Sequence, residues 1–194
     1  RLCRGRFVPG HHHGGVHGRG RGDIAGTDHR PHLIDHHRHL RNGHPEVVLC
    51  ERKTVDQVVA ICGRLAAASG GFLCTRAAPE HAAALEGRFP RSFWIELART
   101  VWLAPDPRPE PRGRGPVLIV SAGTSDLPVA EEAAVTAEAF GNAVERLPDV
   151  GVAGLHRLLG ASERLARAAV IIVVAGMEGA LPSVVGGLTG VPLV

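Results

Sequence analysis

The sequence predicts an α/β fold: a parallel sheet with helices on both faces, preceded by a small α/β unit. Three observations carry the prediction. Val117–Val120, Val170–Val174 and Val191–Val194 are short, uninterrupted apolar runs, as expected of strands buried on both faces. The stretches between them have helical periodicity and are too long for hairpin turns. Small polar or glycine-rich turns follow the first and second of these strands, where open parallel sheets bind ligands.

The elements follow in chain order. Residues 1–32 hold eight glycines, six arginines and six histidines. With no apolar period to offset the entropy of ordering, they read as a disordered tail. Asp35–Glu46 is a charged stretch broken by Gly43 and Pro45, and Val47–Cys50 is a short buried strand. Thr54 and Gln57 have the spacing of a capping box. Val55, Val58, Val59, Cys62 and Leu65 follow at helical spacing, and Gly70-Gly71 ends the helix. Phe72–Thr75 is the next strand and Pro79–Leu85 a short helix. Residues 33–103 thus form the small α/β unit. Ala104–Pro116, with five prolines and two glycines in thirteen residues, reads as a linker and places a domain boundary there.

The larger sheet occupies residues 117–194. Val117–Val120 is its first strand. Pro128 opens a helix to about Phe140, with Pro at N1 and Glu131-Glu132 in its early turns. Val144–Leu147 is the second strand, Leu155–Leu159 and Ser162–Ala168 supply helical turns, and Val170–Val174 is the third strand. Leu181–Leu188 is a helix and Val191–Val194 a fourth strand. The intervening helices are expected to be amphipathic.

Composition narrows the function classes. The chain has 194 residues and a net charge of +3, and 22 Lys and Arg face 19 Asp and Glu. Residues 1–32 contribute six arginines against Asp23 and Asp28, so the remainder is balanced at 16 to 17. Charge therefore gives no support for nucleic-acid binding by the folded part. No run of about 18 apolar residues exists, which excludes a membrane-spanning helix. Cys3, Cys50, Cys62 and Cys74 form no CxxC pair or common metal spacing; Cys62 and Cys74, in apolar settings, read as buried reduced thiols in a cytoplasmic protein. No metal site is assigned. The His11-His12-His13 run is the one weak metal-binding feature. The chain begins at Arg1 and stops at Val194 inside an apolar run, so both ends read as cut.

Two turns hold the candidate site. Ser121, Ala122, Gly123, Thr124, Ser125 and Asp126 lie between a strand and a helix N-terminus. Small residues admit a ligand to the backbone, N–H groups and hydroxyls suit a phosphate, and Asp126 suits ribose hydroxyls. An ordinary turn capped by Ser125 or Asp126 accounts for the same pattern equally well. The second turn comprises Ala175, Gly176, Met177, Glu178, Gly179 and Ala180. Glu178 at its tip is placed either as a proton acceptor or as a helix-dipole partner. Neither turn matches GxxxxGK[ST] or GxGxxG.

Ser121–Val135 (SAGTSDLPVAEEAAV), Asp149–Leu159 (DVGVAGLHRLL) and Ala175–Gly187 (AGMEGALPSVVGG) resemble the LarB family of nickel-pincer cofactor biosynthesis proteins. So do Asp35–Glu46, Lys53-Thr54 and Gln57. The C-terminal part of that family is similar to PurE, the aminoimidazole ribonucleotide carboxylase, which implies a PurE-like sheet of flavodoxin-like, Rossmann-like type. The resemblance implies carboxylation at C5 of the pyridinium ring of nicotinic acid adenine dinucleotide by CO₂ or bicarbonate. Phosphoanhydride cleavage then yields pyridinium-3,5-biscarboxylic acid mononucleotide and AMP. It implies Glu178 as the base, a nucleophilic cysteine beyond Val194, and a homo-oligomer. Mg²⁺ is compatible with the phosphoanhydride step, and no other cofactor is expected. Asp35, Arg38, Arg41, Glu46 and Lys53 form a second candidate set, as substrate contacts or as an interdomain salt-bridge cluster, and His156-Arg157 is equally two-sided. His44, and a tail without a helical lead-in, depart from the family pattern. Two other readings stand beside this one: a PurE-type carboxylase or mutase acting on aminoimidazole ribonucleotide, and a non-catalytic nucleic-acid or metal binder using the Arg/Gly/His tail.

Overall fold

In the computed structural model the described residues are 46–194, apart from Pro109 and Arg112. The tail 1–32, His44 and the candidates Asp35, Arg38 and Arg41 lie outside them. The first sheet begins with β1 (Val47–Leu49), crosses through α1 (Val55–Ser69) and returns as β2 (Phe72–Thr75), parallel to β1 with Val48 opposite Cys74. The start of α1 is the predicted capping box. Gln57 N donates to Thr54 Oγ1 at 3.3 Å, and Thr54 N donates to Gln57 Oε1 at 3.1 Å. Gly70 ends the helix in the left-handed conformation at φ 75°, which an L side chain rarely adopts. Thr54→Ala is expected to lower the unfolding free energy by about 1 kcal/mol in urea denaturation; an unchanged midpoint would show that the cap contributes nothing.

α2 (Pro79–Arg88) opens with Pro79, whose missing N–H is no loss at that position. His81 fixes the turn before it. Its Nδ1 accepts from Ala78 N at 3.1 Å, so Nε2 carries the hydrogen and donates to Lys53 O at 3.0 Å. A hairpin absent from the expectations follows: β3 (Phe93–Ile95) and β4 (Thr100–Leu103), antiparallel to each other, with β4 also antiparallel to β2. The strand order is β1-β2-β4-β3. One face, carrying Val48, Phe72, Cys74, Val101 and Leu103, packs on Val58, Ile61, Cys62 and Leu65 of α1 and Leu85 of α2.

Residues 104–116 have no helix or strand in their described part. β5 (Val117–Ser121) then starts the second sheet, whose order is β6-β5-β7, all parallel, with β6 at Val144–Leu147 and β7 at Val170–Val174. This is the expected α/β, flavodoxin-like sheet. α3 (Leu127–Ala139) covers one face, with Ala130 and Ala134 against Val117 and Ile119. α4 (Leu155–Leu159), α5 (Ser162–Arg167) and α6 (Leu181–Leu188) cover the other, where Leu158, Leu165, Leu181 and Val185 meet Leu118 and Val120. Pro128 falls at the second helical residue rather than the first.

The fourth strand is a correction. Val191–Val194 makes one parallel bridge, Leu193 with Ile171. Ile171 N donates to Pro192 O, and Val194 N to Ile171 O, both at 2.9 Å. Pro192 turns its nitrogen to the same side as its carbonyl but has no hydrogen to give, so the ladder is interrupted there.

α3 also departs from the expected single apolar stripe. Its Val135 is buried beside Leu73 and Trp102 of the first sheet, with Ala139 packed against the same cluster. The helix therefore lies between two sheets, and its alanines let it approach both. Arg146 of β6 fastens it further, donating to both oxygens of Glu131 at 2.7 and 2.8 Å and to Glu138 at 2.9 Å. Glu131 is thus occupied by an arginine rather than left as a helix-dipole partner.

Candidate functional site

The carboxyl ends of β5, β6 and β7 present three loops side by side. Ser121, the last residue of β5, is buried. Its carbonyl accepts from Val150 N, and the Ala122 carbonyl accepts from Gly151 N, both at 3.1 Å, which holds the loop after β6 against the loop after β5. Gly151 is required by this approach: a Cβ there would stand 2.9 Å from the Ala122 oxygen. Ala122 N donates to Val174 O at 3.0 Å.

Asp126 joins the first loop to the third. Its Oδ2 accepts from Gly123 N at 3.0 Å and its Oδ1 from Gly176 N at 2.9 Å, across 50 residues of sequence. The sequence placed Asp126 as a ribose acceptor or a helix cap. The carboxylate instead spends one lone pair of each oxygen on a main-chain donor and fixes two loops at one spacing. Neither Asp126 nor Ser125 caps α3 through its side chain. Thr124 and Ser125 are exposed in a 3₁₀ turn, Thr124–Asp126, that leads into α3, where helical N–H groups lack intrahelical acceptors.

Across from them, Gly176, Met177, Glu178 and Gly179 are exposed and Ala180 half-buried, with Gly179 in the left-handed region at φ 64°. Met177 is 95% exposed, so the predicted loop points into solvent. Glu178 has no hydrogen bond or ion pair with any described residue. The hydroxyl-bearing turn at the start of a helix suits a phosphate, and the exposed, unpaired carboxylate on the neighbouring loop suits proton transfer.

The second set of candidates has structural partners or lies apart. Arg157 donates to Asp149 Oδ2 at 2.6 Å. Its guanidinium covers Gly154, where a Cβ would meet it at 2.6 Å, so it closes the loop after β6. Asp149 holds that loop in a left-handed turn at φ 57°. His156 is exposed. Lys53 donates to Leu49 O at 2.7 Å, closing the turn after β1. Glu46 is half-buried at the start of β1, with Oε2 buried and unpartnered. No hydrogen bond or ion pair among the described residues joins Glu46 or Lys53 to the three loops.

Cys50, Cys62 and Cys74 are buried in the first sheet's core. Among the described residues no group of three or more His, Cys, Asp or Glu is arranged to hold a metal ion, and no helix is long and apolar enough to cross a membrane.

Comparison with known proteins adds two findings. Residues 28–105 match the LarB/PurE-like N-terminal domain. An uncharacterized protein of the archaeon Methanocaldococcus jannaschii is 38% identical over 168 residues, which cover 83% of this chain and 65% of that protein. The chain thus spans less than two thirds of that relative's length.

Proposed function

From a chain that carries a LarB/PurE-like N-terminal domain across residues 28–105, we propose a carboxylase of LarB type acting on nicotinic acid adenine dinucleotide. The observation that supports it most is the clasp between the two predicted turns. Asp126 holds the Ser121–Asp126 turn beside the loop that carries Glu178, so a phosphate-binding turn and a free carboxylate share one end of a parallel sheet. In this reading the exposed Thr124 and Ser125 meet a phosphate of the substrate, and the glycines of both loops leave room for its ribose and ring.

The reaction needs more than these loops. A pyridinium carbon is electrophilic and does not attack CO₂. A thiolate adding to C4 makes C5 enamine-like, so that C5 attacks CO₂; a base then removes the C5 proton and the thiolate leaves. Glu178 takes the proton. Cys50, Cys62 and Cys74 are enclosed in the other sheet, so this reading assigns the thiolate to none of them. Cleavage of the phosphoanhydride releases AMP, with Mg²⁺ as a compatible activator. A homo-oligomer and a cytoplasmic setting belong to the same reading.

The family description also names PurE, so aminoimidazole ribonucleotide is the competing substrate. The full-length protein should be incubated with ¹³C-bicarbonate and each substrate in turn, and the products read by mass. Labelled biscarboxylated mononucleotide together with AMP is the expected result. Label in the aminoimidazole product alone would replace the LarB reading with the PurE one, and label in neither would end both.

A further inference from the structure

The parallel strands of both sheets end on the same side of the molecule, and α3 fixes that relation. Val135 of α3 is buried beside Leu73 and Trp102. Nearer the start of the helix, Glu132 lies 3.9 Å from Arg76 Nε, and Arg76 is the residue that follows β2. β2 therefore runs toward the start of α3, as β5 does, and the loops after β1 and β2 open on the side of the Ser121–Asp126 turn. From Asp126 to Glu132 the helix rises about 9 Å, at 1.5 Å per residue. Between them the first turn of α3 carries Pro128, exposed, and Val129, 55% exposed.

Arginines gather at that end of the first sheet. Arg52 lies in the turn after β1, Arg76 follows β2, and Arg99 precedes β4; all three are exposed. The antiparallel register that pairs Cys74 with Val101 puts Arg99 across from Arg76. Ala77 N donates to Arg99 O at 2.8 Å, and Arg99 Nε donates to Ala77 O at 3.3 Å. Arg52, Arg76 and Arg99 have φ of 65°, 49° and 49°, and Asp149 completes the non-glycine residues with positive φ among the described ones. Holding a side-chain-bearing residue there costs free energy, and such residues cluster at ligand sites. The guanidinium groups are loosely held. Arg52 has no hydrogen bond or ion pair with a described residue, and Arg99 engages through Nε alone. Arg76 meets Glu51 at 3.4 Å and Glu132 at 3.9 Å, against about 2.7–2.9 Å for a tight pair. A phosphate matches the arginine fork as well as a carboxylate does, so it can take the place of either glutamate.

We propose that Arg52, Arg76 and Arg99 form a subsite for the outer phosphate of a dinucleotide, whose adenosine lies over Pro128 and Val129. The inference rests on the carboxylase reading, which puts the pyridinium ring by Glu178 and one phosphate on Thr124 and Ser125. The second phosphate and the adenosine then run along the first turns of α3 toward Arg76. They are the half that leaves as AMP, so the cluster holds the leaving group. A mononucleotide ends before it, and the arginines are what favour the dinucleotide.

The test is calorimetric titration of the full-length protein with AMP, nicotinic acid mononucleotide and nicotinic acid adenine dinucleotide. The parent protein is expected to bind all three. Arg76→Gln and Arg99→Gln should each weaken AMP and the dinucleotide by at least about 10-fold, the usual worth of a charge-assisted bond to phosphate, and leave the mononucleotide unchanged. Glu132→Gln separates binding from packing. It breaks the same bridge to α3 but leaves the guanidinium with one carboxylate fewer, so AMP should bind more tightly than to the parent. A loss equal to that of Arg76→Gln would make the arginine a strut between sheets and overturn the proposal. Equal loss of all three ligands, AMP affinity that no arginine variant changes, or no AMP binding by the parent at millimolar concentration would also overturn it. Turnover with ¹³C-bicarbonate on the same proteins keeps the two readings apart. Turnover by a parent whose AMP affinity the variants leave untouched removes the subsite and keeps the carboxylase. AMP binding that the arginine variants abolish, in a parent without turnover, keeps the subsite and removes the carboxylase.

Discussion

Glu178→Gln is expected to reduce carboxylation by at least about 100-fold, the usual worth of a positioned proton acceptor, while leaving nucleotide binding and thermal stability unchanged. The separation is possible because of where Glu178 stands. It is exposed and has no hydrogen bond or ion pair with a described residue, so the amide disturbs no packing and breaks no pair. Glutamine keeps the shape and one acceptor oxygen but cannot take a proton at neutral pH. Labelled carboxylation and ligand affinity should therefore diverge in this variant. Carboxylation near the parent rate would remove Glu178 from the chemistry, and equal loss of binding would make it a substrate contact instead.

Asp126→Asn is expected to be nearly as damaging as Asp126→Ala, with turnover down about 100-fold, because ångström-scale misplacement of reacting groups costs that much. Both oxygens of Asp126 accept from main-chain N–H groups, at Gly123 and Gly176. An asparagine offers one acceptor and turns an NH₂ group toward the other donor, so one of the two loops must swing away. Stability should fall by only about 1 kcal/mol, since hydrogen bonds at a half-exposed site contribute little net. Amide exchange at Gly176 provides the reading that does not depend on turnover: it should accelerate in both variants. If Asp126 served only to meet a ribose hydroxyl, Gly176 would exchange at its parent rate and asparagine would retain much of the activity.

The second sheet was legible because β5 and β7 are near-continuous apolar runs, and α1 because Thr54, Gln57 and Gly70 state both of its ends. The hairpin β3–β4 was not. Its turn, Glu96–Arg99, contains no glycine, asparagine or proline, and Arg99 takes up the left-handed conformation at φ 49° in their place. α3 was placed correctly as a helix but misjudged as amphipathic, since a helix between two sheets has two apolar sides and no pattern along the chain says which sheet each side meets. At the site, small residues and a lone glutamate drew attention to two loops that the fold places side by side after β5 and β7. The use made of Asp126 could not be read, because its partner at Gly176 is brought near only by the pairing of β5 with β7. The contact of the Cys62 and Cys74 sulfurs, 3.2 Å apart, is hidden in the same way: a helix and the next strand bring together side chains 12 residues apart, a spacing that matches no metal motif.

The position of α3 has a consequence for motion. The helix that begins at the Ser121–Asp126 turn is gripped on both sides, by Val117 and Ile119 on one and by Leu73 and Trp102 on the other, and Arg146 holds it along its length. Nothing in that half of the site is free to travel far without unpacking a core. Among the described residues, the exposed stretch Gly176–Gly179 has no side-chain hydrogen bond beyond the one at Gly176. A substrate would enter and leave past a fixed wall and a movable one, and the movable wall is the one that carries Glu178. If Glu178 is the proton acceptor proposed above, release of product and its delivery are the same movement, held at the hydrogen bond from Gly176 to Asp126.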